Sequence, residues 1–313
     1  MMYPYISVVI TAHNRREFLK RSIQSALNQS LSREFYEIIV VKNFDDVEID
    51  DFIERNAIYS IRSPYNSKIG EDLSKGIENA KGNVLSFLDD DDEFLPDKLE
   101  KVFNIFKKDD KIIYYHNHQI IEGNNRNKIV HKTFKGVYYT GELKRRFKSI
   151  INSFGLASLY FNLSSISIRK IYYTEHVKQL EKLIIQPDDF IFFVGLEEDC
   201  KFYFDSSALT KYTIHESLSN VDEKAYKRSN YLIKNYELMI KFASATRYIS
   251  SLVRDRRIRD VLEARSDLEL LSSTIFIKRI DTSLWLKCMI NTKKYGLRLT
   301  AFSLFFIFKT IVK

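Results

Sequence analysis

Residues 84–92 read Val84-Leu85-Ser86-Phe87-Leu88-Asp89-Asp90-Asp91-Asp92, a short apolar run followed by four consecutive aspartates. A short apolar run bounded by polar residues is typical of a buried strand, so the aspartates are expected at the rim of a sheet. Neighbouring carboxylates raise one another's pKa, and a divalent cation with oxygen ligands relieves their repulsion. The stretch therefore predicts a strand that ends in a metal site.

The aspartates have a second interpretation as the N-terminal cap of a helix that begins near Pro96, where negative charge is also favourable. A cap needs one acid, whereas four are present. We therefore favour the metal site.

Short apolar strands alternate with helical patterns through residues 1–120. Strands are predicted at 6–10, 37–41, 58–61 and 84–88, and helices with one apolar face at 16–28, 73–80 and 99–106. This alternation is typical of an α/β fold, with a mostly parallel, twisted sheet covered by helices on both faces. Ligands of such sheets bind beyond the carboxyl ends of the strands, so segments 11–15, 42–45 and 89–92 are expected to meet at one rim.

Four ordered segments resemble motifs of the family 2 glycosyltransferases, which have the GT-A fold, a Rossmann-like arrangement. They are the first strand and loop at 7–15, the helix, strand and DxD signature at 76–82 and 87–92, the acidic pair Asp188-Asp189, and a strand carrying a histidine at 212–216. The resemblance covers about residues 3–220. It implies inverting transfer of a sugar from a nucleotide-diphosphate sugar to a glycan or lipid-linked acceptor, with Mn²⁺ or Mg²⁺ as cofactor.

The resemblance also implies the metal and catalytic residues. Asp91 receives the main metal role, Asp89 faces the ion or the ribose, and His215 is a further ligand or a donor to the diphosphate. The catalytic base is Asp189, with Asp188 in support. Two alternatives stay open, because both acids can cap the helix that follows Pro187 and a lone histidine is often structural.

Nucleotide binding is expected from several polar residues. They are Thr11, Ala12, His13 and Asn14 after the first strand, Asn43 and Lys68 further along the chain, and Asp89 and Asp90. The loop after the first strand carries most of this expectation, because it lies beside the ligand in such sheets. Asn43 stands where the family usually has an Asp; it can read a base edge, and an ordinary turn is the alternative. The alternative for Lys68 is a solvated lysine.

The charge is unevenly distributed along the 313 residues. The formal net charge is +8, yet residues 221–313 contain 19 Lys and Arg against 9 Asp and Glu, which leaves a net −2 for residues 1–220. Two further strands are predicted at 201–204 and 209–215, and helical patterns dominate after residue 220. We expect a GT-A catalytic domain over 1–220 and a basic, mainly helical C-terminal region over 221–313.

Residues 285–313 are a candidate for peripheral membrane contact. The apolar run 301–308 is 8 residues long, far short of the ~20 that a spanning helix needs. Its basic flanks suit a helix in the interface of an anionic membrane, and packing on the catalytic domain or an oligomer contact are the alternatives. Nucleic-acid binding is not expected, because no recognised motif accompanies the charge.

The location in the cell is expected to be cytoplasmic, or the cytoplasmic face of a membrane. Cys200 and Cys288 show no disulfide or metal spacing, and residues 1–5 lack the basic region of a secretory signal. Two other functions stay open. One is a sugar-phosphate nucleotidyltransferase, although no Gly-rich phosphate loop follows the first strand. The other is a non-catalytic nucleotide-sugar-binding adaptor.

Overall fold

The chain forms two compact units. The structure, a computed structural model, describes residues 4–122, 128–129, 134–213, 229–276, 283–284, 286–288 and 290. The first unit comprises Met1–Glu142 and Leu156–Ile214, and the second comprises Leu143–Gly155 and His215–Lys313. The predicted domain boundary at residue 220 lies outside the described residues.

Ten strands of one sheet lie in the described part of the chain. They are β1 Ile6–Ala12, β2 Tyr36–Lys42, β3 Tyr59–Arg62, β4 Val84–Asp89, β5 Glu93–Phe94, β6 Ile112–Glu122, β7 Lys128–Ile129, β8 Gly136–Tyr139, β9 Ile166–Arg169 and β10 Lys201–Thr213. Ten α-helices lie in the same described part of the chain. They are α1 Leu19–Leu27, α2 Val47–Arg55, α3 Ile69–Asn79, α4 Lys98–Lys108, α5 Thr140–Phe154, α6 Ile171–Thr174, α7 Val177–Leu180, α8 Pro187–Gly195, α9 Ser229–Leu252 and α10 Arg256–Phe276.

The sheet is mostly parallel at its core, as the alternating sequence pattern predicts. Its order is β3-β2-β1-β4-β9-β6-β10-β5, with β7 on β6 and β8 on β10. Strands β3, β2, β1 and β4 are parallel, while β9 runs antiparallel to both β4 and β6. In register, Thr11 lies opposite Asp89 and Ala12 lies opposite Lys42. The carboxyl ends of β1, β2 and β4 therefore share one edge, where the three polar segments were expected to meet.

Helices cover both faces of β1 because its side chains alternate between them. Ile6, Val8 and Ile10 join a buried cluster with apolar residues of α1, α2 and α4. On the other face Gly76 of α3 lies so close to β1 that an added Cβ would stand 2.4 Å from Val9 Cγ1. A glycine at this position lets α3 pack directly on the strand.

One strand differs from the sequence expectation. Two separate strands were predicted at 201–204 and 209–215, whereas β10 runs continuously from Lys201 to Thr213. Its pairing with β6 shifts register between Phe204 and Ala208. The carboxylate of Asp205 accepts a hydrogen bond from Ser207 N–H at 2.8 Å, so the polar residues between the apolar runs form a bulge rather than a turn.

The second unit contains α9 and α10, which are joined by polar contacts. Ser266 Oγ donates to Ala243 O at 2.8 Å, and Arg247 pairs with Asp267 at 2.5 Å. Within the described residues, no helix has the length and apolar character to cross a bilayer. The apolar run 301–308 and most of the predicted membrane contact at 285–313 lie outside the described residues.

Candidate active site

The four aspartates form a turn at the carboxyl end of β4, which we call the acidic turn (residues 89–92). Helix α4 begins only at Lys98, and its N-cap residue is Asp97. The acidic turn therefore does not cap that helix. Asp89, Asp91 and Asp92 each place one carboxylate oxygen within 4.8 Å of the others. Such an all-oxygen set is the kind that Mg²⁺, Mn²⁺ and Ca²⁺ prefer.

Asp92 holds the acidic turn in place through buried hydrogen bonds. Its side chain is fully buried, and Oδ2 accepts hydrogen bonds from Asn162 Nδ2 at 2.5 Å and Ser164 Oγ at 2.6 Å. Its Oδ1 accepts from Thr213 N–H at 3.1 Å, at the end of β10. Burial, and then repulsion from Asp89 and Asp91, raises the pKa of Asp92 well above its ordinary value. Asp92 thus has its geometry fixed by three neighbours.

Ser164 connects the acidic turn to a buried lysine. Its hydroxyl also accepts from Asp89 N–H at 2.9 Å, and its carbonyl accepts from Lys98 Nζ at 2.8 Å. Lys98 is fully buried and donates to Asn117 Oδ1 at 2.6 Å as well. Burial lowers the pKa of Lys98 well below its ordinary value, although the charge of Asp92 opposes that shift. The network ties the acidic turn to β6 and to the segment before β9.

Arg15 pairs with two carboxylates of the acidic turn. Its Nη1 lies 2.5 Å from Asp91 Oδ2, and its Nη2 contacts Asp90 Oδ1. Asp90 is 1% exposed, and its Oδ2 is a buried oxygen with no hydrogen-bond partner among the described residues. Burial raises the pKa of Asp90 to about 8 against the opposing charge of Arg15, and burial with the charge of Asp91 raises that of Asp89 to about 7. Burial alone would lower the pKa of Arg15, but the surrounding carboxylates raise it above the ordinary value.

Helix α1 holds the backbone of the acidic turn. Ser22 Oγ is within 2.7 Å of Asp90 O and 2.6 Å of Asp92 O. Arg21 Nη2 donates to Asp91 O at 3.1 Å. The turn is therefore supported on its backbone as well as through its side chains.

A second group of predicted residues gathers where β1 and β2 end. The side chain of Asn43 is buried, accepts from Asn14 N–H at 2.8 Å and donates to Tyr65 O at 2.9 Å. Its amide nitrogen also lies 3.0 Å from His13 Nδ1. Asn14 has a φ of 58°, which asparagine tolerates better than most residues. This placement favours a role for Asn43 in shaping the loop over direct reading of a base.

The remaining predicted nucleotide-binding residues differ in exposure. The side chain of His13 is 40% exposed, whereas Thr11 and Ala12 are buried in β1. Lys68 is exposed and its ammonium lies 3.6 Å from Glu71 of its own helix. His13 and Asn14 thus face solvent at this edge, and nucleotide binding by the exposed Lys68, the N-cap residue of α3, stays a prediction.

The acidic pair Asp188-Asp189 lies in the first turn of α8. The N-cap residue is Gln186, with a φ of 62°, and Pro187 occupies the first position of the helix. Neither acid is therefore the N-cap, although both benefit from the positive end of the helix dipole. Asp189 is 2% exposed and Asp188 is half-buried.

His215 lies outside the described residues. The strand predicted to carry it, β10, ends at Thr213, whose amide binds Asp92 of the acidic turn. Its role as a metal ligand stays a prediction.

Several residues of this site received no metal, catalytic or nucleotide-binding role from the sequence. They are Arg15, Ser22, Lys98, Asn162 and Ser164, together with Asp92, which was not assigned to the metal. The available signal is the segment 162–165, in which three of four residues are polar and which lies directly before the strand that neighbours β4. Nothing local marks Lys98, because its position in an amphipathic helix resembles that of a solvated lysine.

Comparisons with known proteins support the resemblance. The family model described as Glycosyl transferase family 2 matches residues 7–170. An uncharacterized glycosyltransferase of Methanocaldococcus jannaschii is 30% identical over 219 residues, which cover 67% of this chain and 71% of that protein. An uncharacterized glycosyltransferase of Haemophilus influenzae is 24% identical over 314 residues, 93% of this chain and 99% of that protein.

Solved structures support the fold. The crystal structure of S. aureus TarS 1–349 in complex with UDP-GlcNAc matches with a TM-score of 0.53 at 12% identity, over 91% of this chain and 84% of that chain. The crystal structure of TarS 1–349 in complex with UDP matches with a TM-score of 0.52 at 13% identity, over 86% of this chain and 88% of that chain. The predicted GT-A type of α/β fold is confirmed.

Proposed function

The chain belongs to glycosyl transferase family 2, and on that basis we propose that it transfers a sugar with inversion from a nucleotide-diphosphate sugar to a glycan or lipid-linked acceptor. The observation that carries the proposal is the acidic turn. Three of its carboxylates converge at the carboxyl end of a central strand, and the solvent-facing residues His13 and Asn14 follow the neighbouring strand. Ligands of such sheets bind at this edge.

A divalent cation, Mn²⁺ or Mg²⁺, fits the donor set. Asp91 and Asp89 would hold it, and Asp92 would contribute its less occupied oxygen, Oδ1. When bound there, such an ion neutralises negative charge that develops on a diphosphate leaving group. The hydrogen bonds that Asp92 accepts from Asn162, Ser164 and Thr213 keep the carboxylates together despite their repulsion.

Donor binding is proposed for the loop after β1. His13 offers a partly exposed ring, and Asn14 is exposed beside it. Asn43 fixes this loop through the Asn14 amide. The TarS structures contain UDP and UDP-GlcNAc, which supports a nucleotide-diphosphate sugar as the class of donor.

Asp189 is proposed as the base that takes the proton from the acceptor hydroxyl, with Asp188 beside it in support. Inversion needs a base on the face opposite the leaving group. Asp189 lies in the first turn of α8 and is largely removed from solvent.

The proposals of a lipid-linked acceptor and of a location at a membrane rest on charge alone. The excess of Lys and Arg in residues 221–313 supports peripheral contact of a cytoplasmic enzyme with an anionic membrane. Co-sedimentation of the full chain with anionic and neutral liposomes tests this part, and equal partitioning to both would contradict it.

The decisive test compares Asp91→Ala with Asp97→Ala. Asp97 is an exposed acid of the same segment whose side chain makes no cap hydrogen bond. With Mn²⁺ present, the parent and Asp97→Ala are expected to consume a nucleotide-diphosphate sugar, whereas Asp91→Ala loses activity by on the order of a hundredfold. An Asp91→Ala protein as active as the parent would refute the metal role.

Two assays separate glycosyl transfer from the alternatives. Transfer releases a nucleoside diphosphate from the nucleotide-diphosphate sugar, whereas a nucleotidyltransferase releases pyrophosphate when it is given a nucleoside triphosphate and a sugar phosphate. An adaptor would bind the donor without consuming it. Membership of the glycosyl transferase family favours the first outcome.

A further inference from the structure

The contact of Arg15 with the acidic turn joins two carboxylates of different accessibility. Asp90 is 1% exposed, whereas the side chain of Asp91 is 15% exposed and belongs to the group of oxygens that suits a cation. Arg15 itself is 36% exposed. One guanidinium thus spans a buried acid and an accessible one.

Asp90 is the stronger attachment point for Arg15. Its Oδ2 is buried without a hydrogen-bond partner in the described residues, and the ion pair through Oδ1 offsets part of the cost of burying the charge. Losing Arg15 would leave that carboxylate buried and uncompensated. Asp91 depends less on Arg15, because solvent reaches its side chain.

Two other cations near the acidic turn bind different groups. Arg21 donates to the backbone oxygen of Asp91 and pairs with the carboxylate of Glu93. Lys98 donates to the carbonyl of Ser164. Arg15, by contrast, contacts a carboxylate oxygen of the group that suits a cation.

We propose that Arg15 is a built-in counter-cation of the acidic turn that competes with the divalent ion for Asp91 while remaining attached to Asp90. The inference rests on the proposed metal-dependent function. A guanidinium and a divalent ion on one carboxylate repel each other, so binding of the ion releases the Asp91 contact. The released half of the guanidinium would then be available to donate hydrogen bonds to an anionic diphosphate at this site.

The competition predicts a rise in metal affinity when the charge of Arg15 is removed. Two like charges a few ångströms apart in a partly exposed site change a binding constant on the order of tenfold. Arg15→Gln is therefore expected to bind Mn²⁺ about tenfold more tightly than the parent. Arg15→Lys keeps the charge but cannot span both carboxylates, so its affinity falls between the two.

The experiment is calorimetric titration of the metal-free, full-length chain with Mn²⁺ alone. Arg16→Gln is the matched control, because it removes the same charge from the adjacent, exposed position, where the guanidinium lies over the ring of Phe44. Its Mn²⁺ affinity is expected to stay within about threefold of the parent value. Asp91→Asn identifies the site, since it should weaken Mn²⁺ binding in every background.

A second measurement separates competition from a merely structural role. Arg15→Gln should raise the Mn²⁺ affinity yet increase KM for the donor, because the diphosphate loses a partner. A loss of packing would weaken both. If Arg15→Gln does not fold, Arg15→Lys gives the answer by binding Mn²⁺ more tightly than the parent.

The failures are distinguishable. If the parent binds Mn²⁺ through Asp91 and the Arg15 variants bind it no more tightly, the competition is overturned and the proposed function stands. If neither the parent nor Arg15→Gln binds Mn²⁺, both the competition and the metal-dependent function are overturned.

Discussion

Replacing Ser164 by alanine should destabilise the acidic turn while leaving every proposed metal ligand in the sequence. The hydroxyl is fully buried, donates to Asp92 Oδ2 at 2.6 Å and accepts from Asp89 N–H at 2.9 Å. The substitution removes two buried hydrogen bonds, one of them to a carboxylate, and leaves an amide without its partner. At about 1 kcal/mol for a neutral bond and about 1.5–3 kcal/mol for one to a charged group, Ser164→Ala should lower the free energy of unfolding by about 2.5–4 kcal/mol.

The same variant should weaken the binding of Mn²⁺, because Asp89 and Asp92 lose the group that holds them in place. Residues that orient metal ligands typically contribute about 10–100-fold to affinity. Urea unfolding of the metal-free protein measures the stability, and Mn²⁺ calorimetry measures the affinity.

Ser86→Ala is the matched control for this prediction. Ser86 is equally buried on the same strand β4, and its hydroxyl pairs with Ser167 Oγ at 2.8 Å, away from the acidic turn. It should lose about 1 kcal/mol of stability and keep its Mn²⁺ affinity. The reasoning is refuted if Ser164→Ala binds Mn²⁺ as tightly as Ser86→Ala.

Three further predictions concern the packing of α3, the proposed base and the pH dependence of stability. Gly70→Ala should lower the free energy of unfolding by about 1–3 kcal/mol in urea titrations, because a Cβ there would stand 1.9 Å from Leu180 O; a loss below about 0.5 kcal/mol would contradict this close approach. Asp189→Asn should retain donor binding in calorimetry and lose transfer by about 10²–10⁴-fold, whereas unimpaired transfer would assign the base elsewhere. The free energy of unfolding of the metal-free protein should fall as the pH rises from about 4 to about 8. The pKa values of Asp89 and Asp90 are raised to about 7 and about 8, so the folded state binds more protons than the unfolded chain in that range. Urea midpoints that rise from about pH 5 to about pH 8 would contradict the sign of this pH dependence.

The part of the fold that the sequence predicts well is the alternating half. The apolar run Val84–Leu88 predicts a buried strand, and the apolar face with Leu99 and Val102 predicts a helix packed on the sheet. Val84, Leu88, Leu99 and Val102 all lie in the buried core. The continuous strand β10 is different. Its bulge depends on Asp205 binding the backbone at Ser207, a local polar contact that hydrophobic periodicity does not encode.

The candidate site also has a part that the sequence predicts and a part that it does not. The acidic turn is visible because four consecutive acids at a strand end are unusual, and the structure brings three of them together. The supports Ser164 and Lys98 come from other segments of the chain, and each is a residue type with many ordinary uses. Their roles arise only from tertiary contacts, so they cannot be inferred from spacing.

The central claim is that the acidic turn holds a divalent ion against the diphosphate of an activated sugar. Its most direct test is an anomalous difference map from crystals of the full chain soaked with Mn²⁺ and UDP. We predict one manganese peak within about 2.3 Å of carboxylate oxygens of Asp91 and Asp89, with diphosphate oxygens on the same ion. A diphosphate bound at another edge of the sheet, with no manganese beside Asp91, would contradict the account.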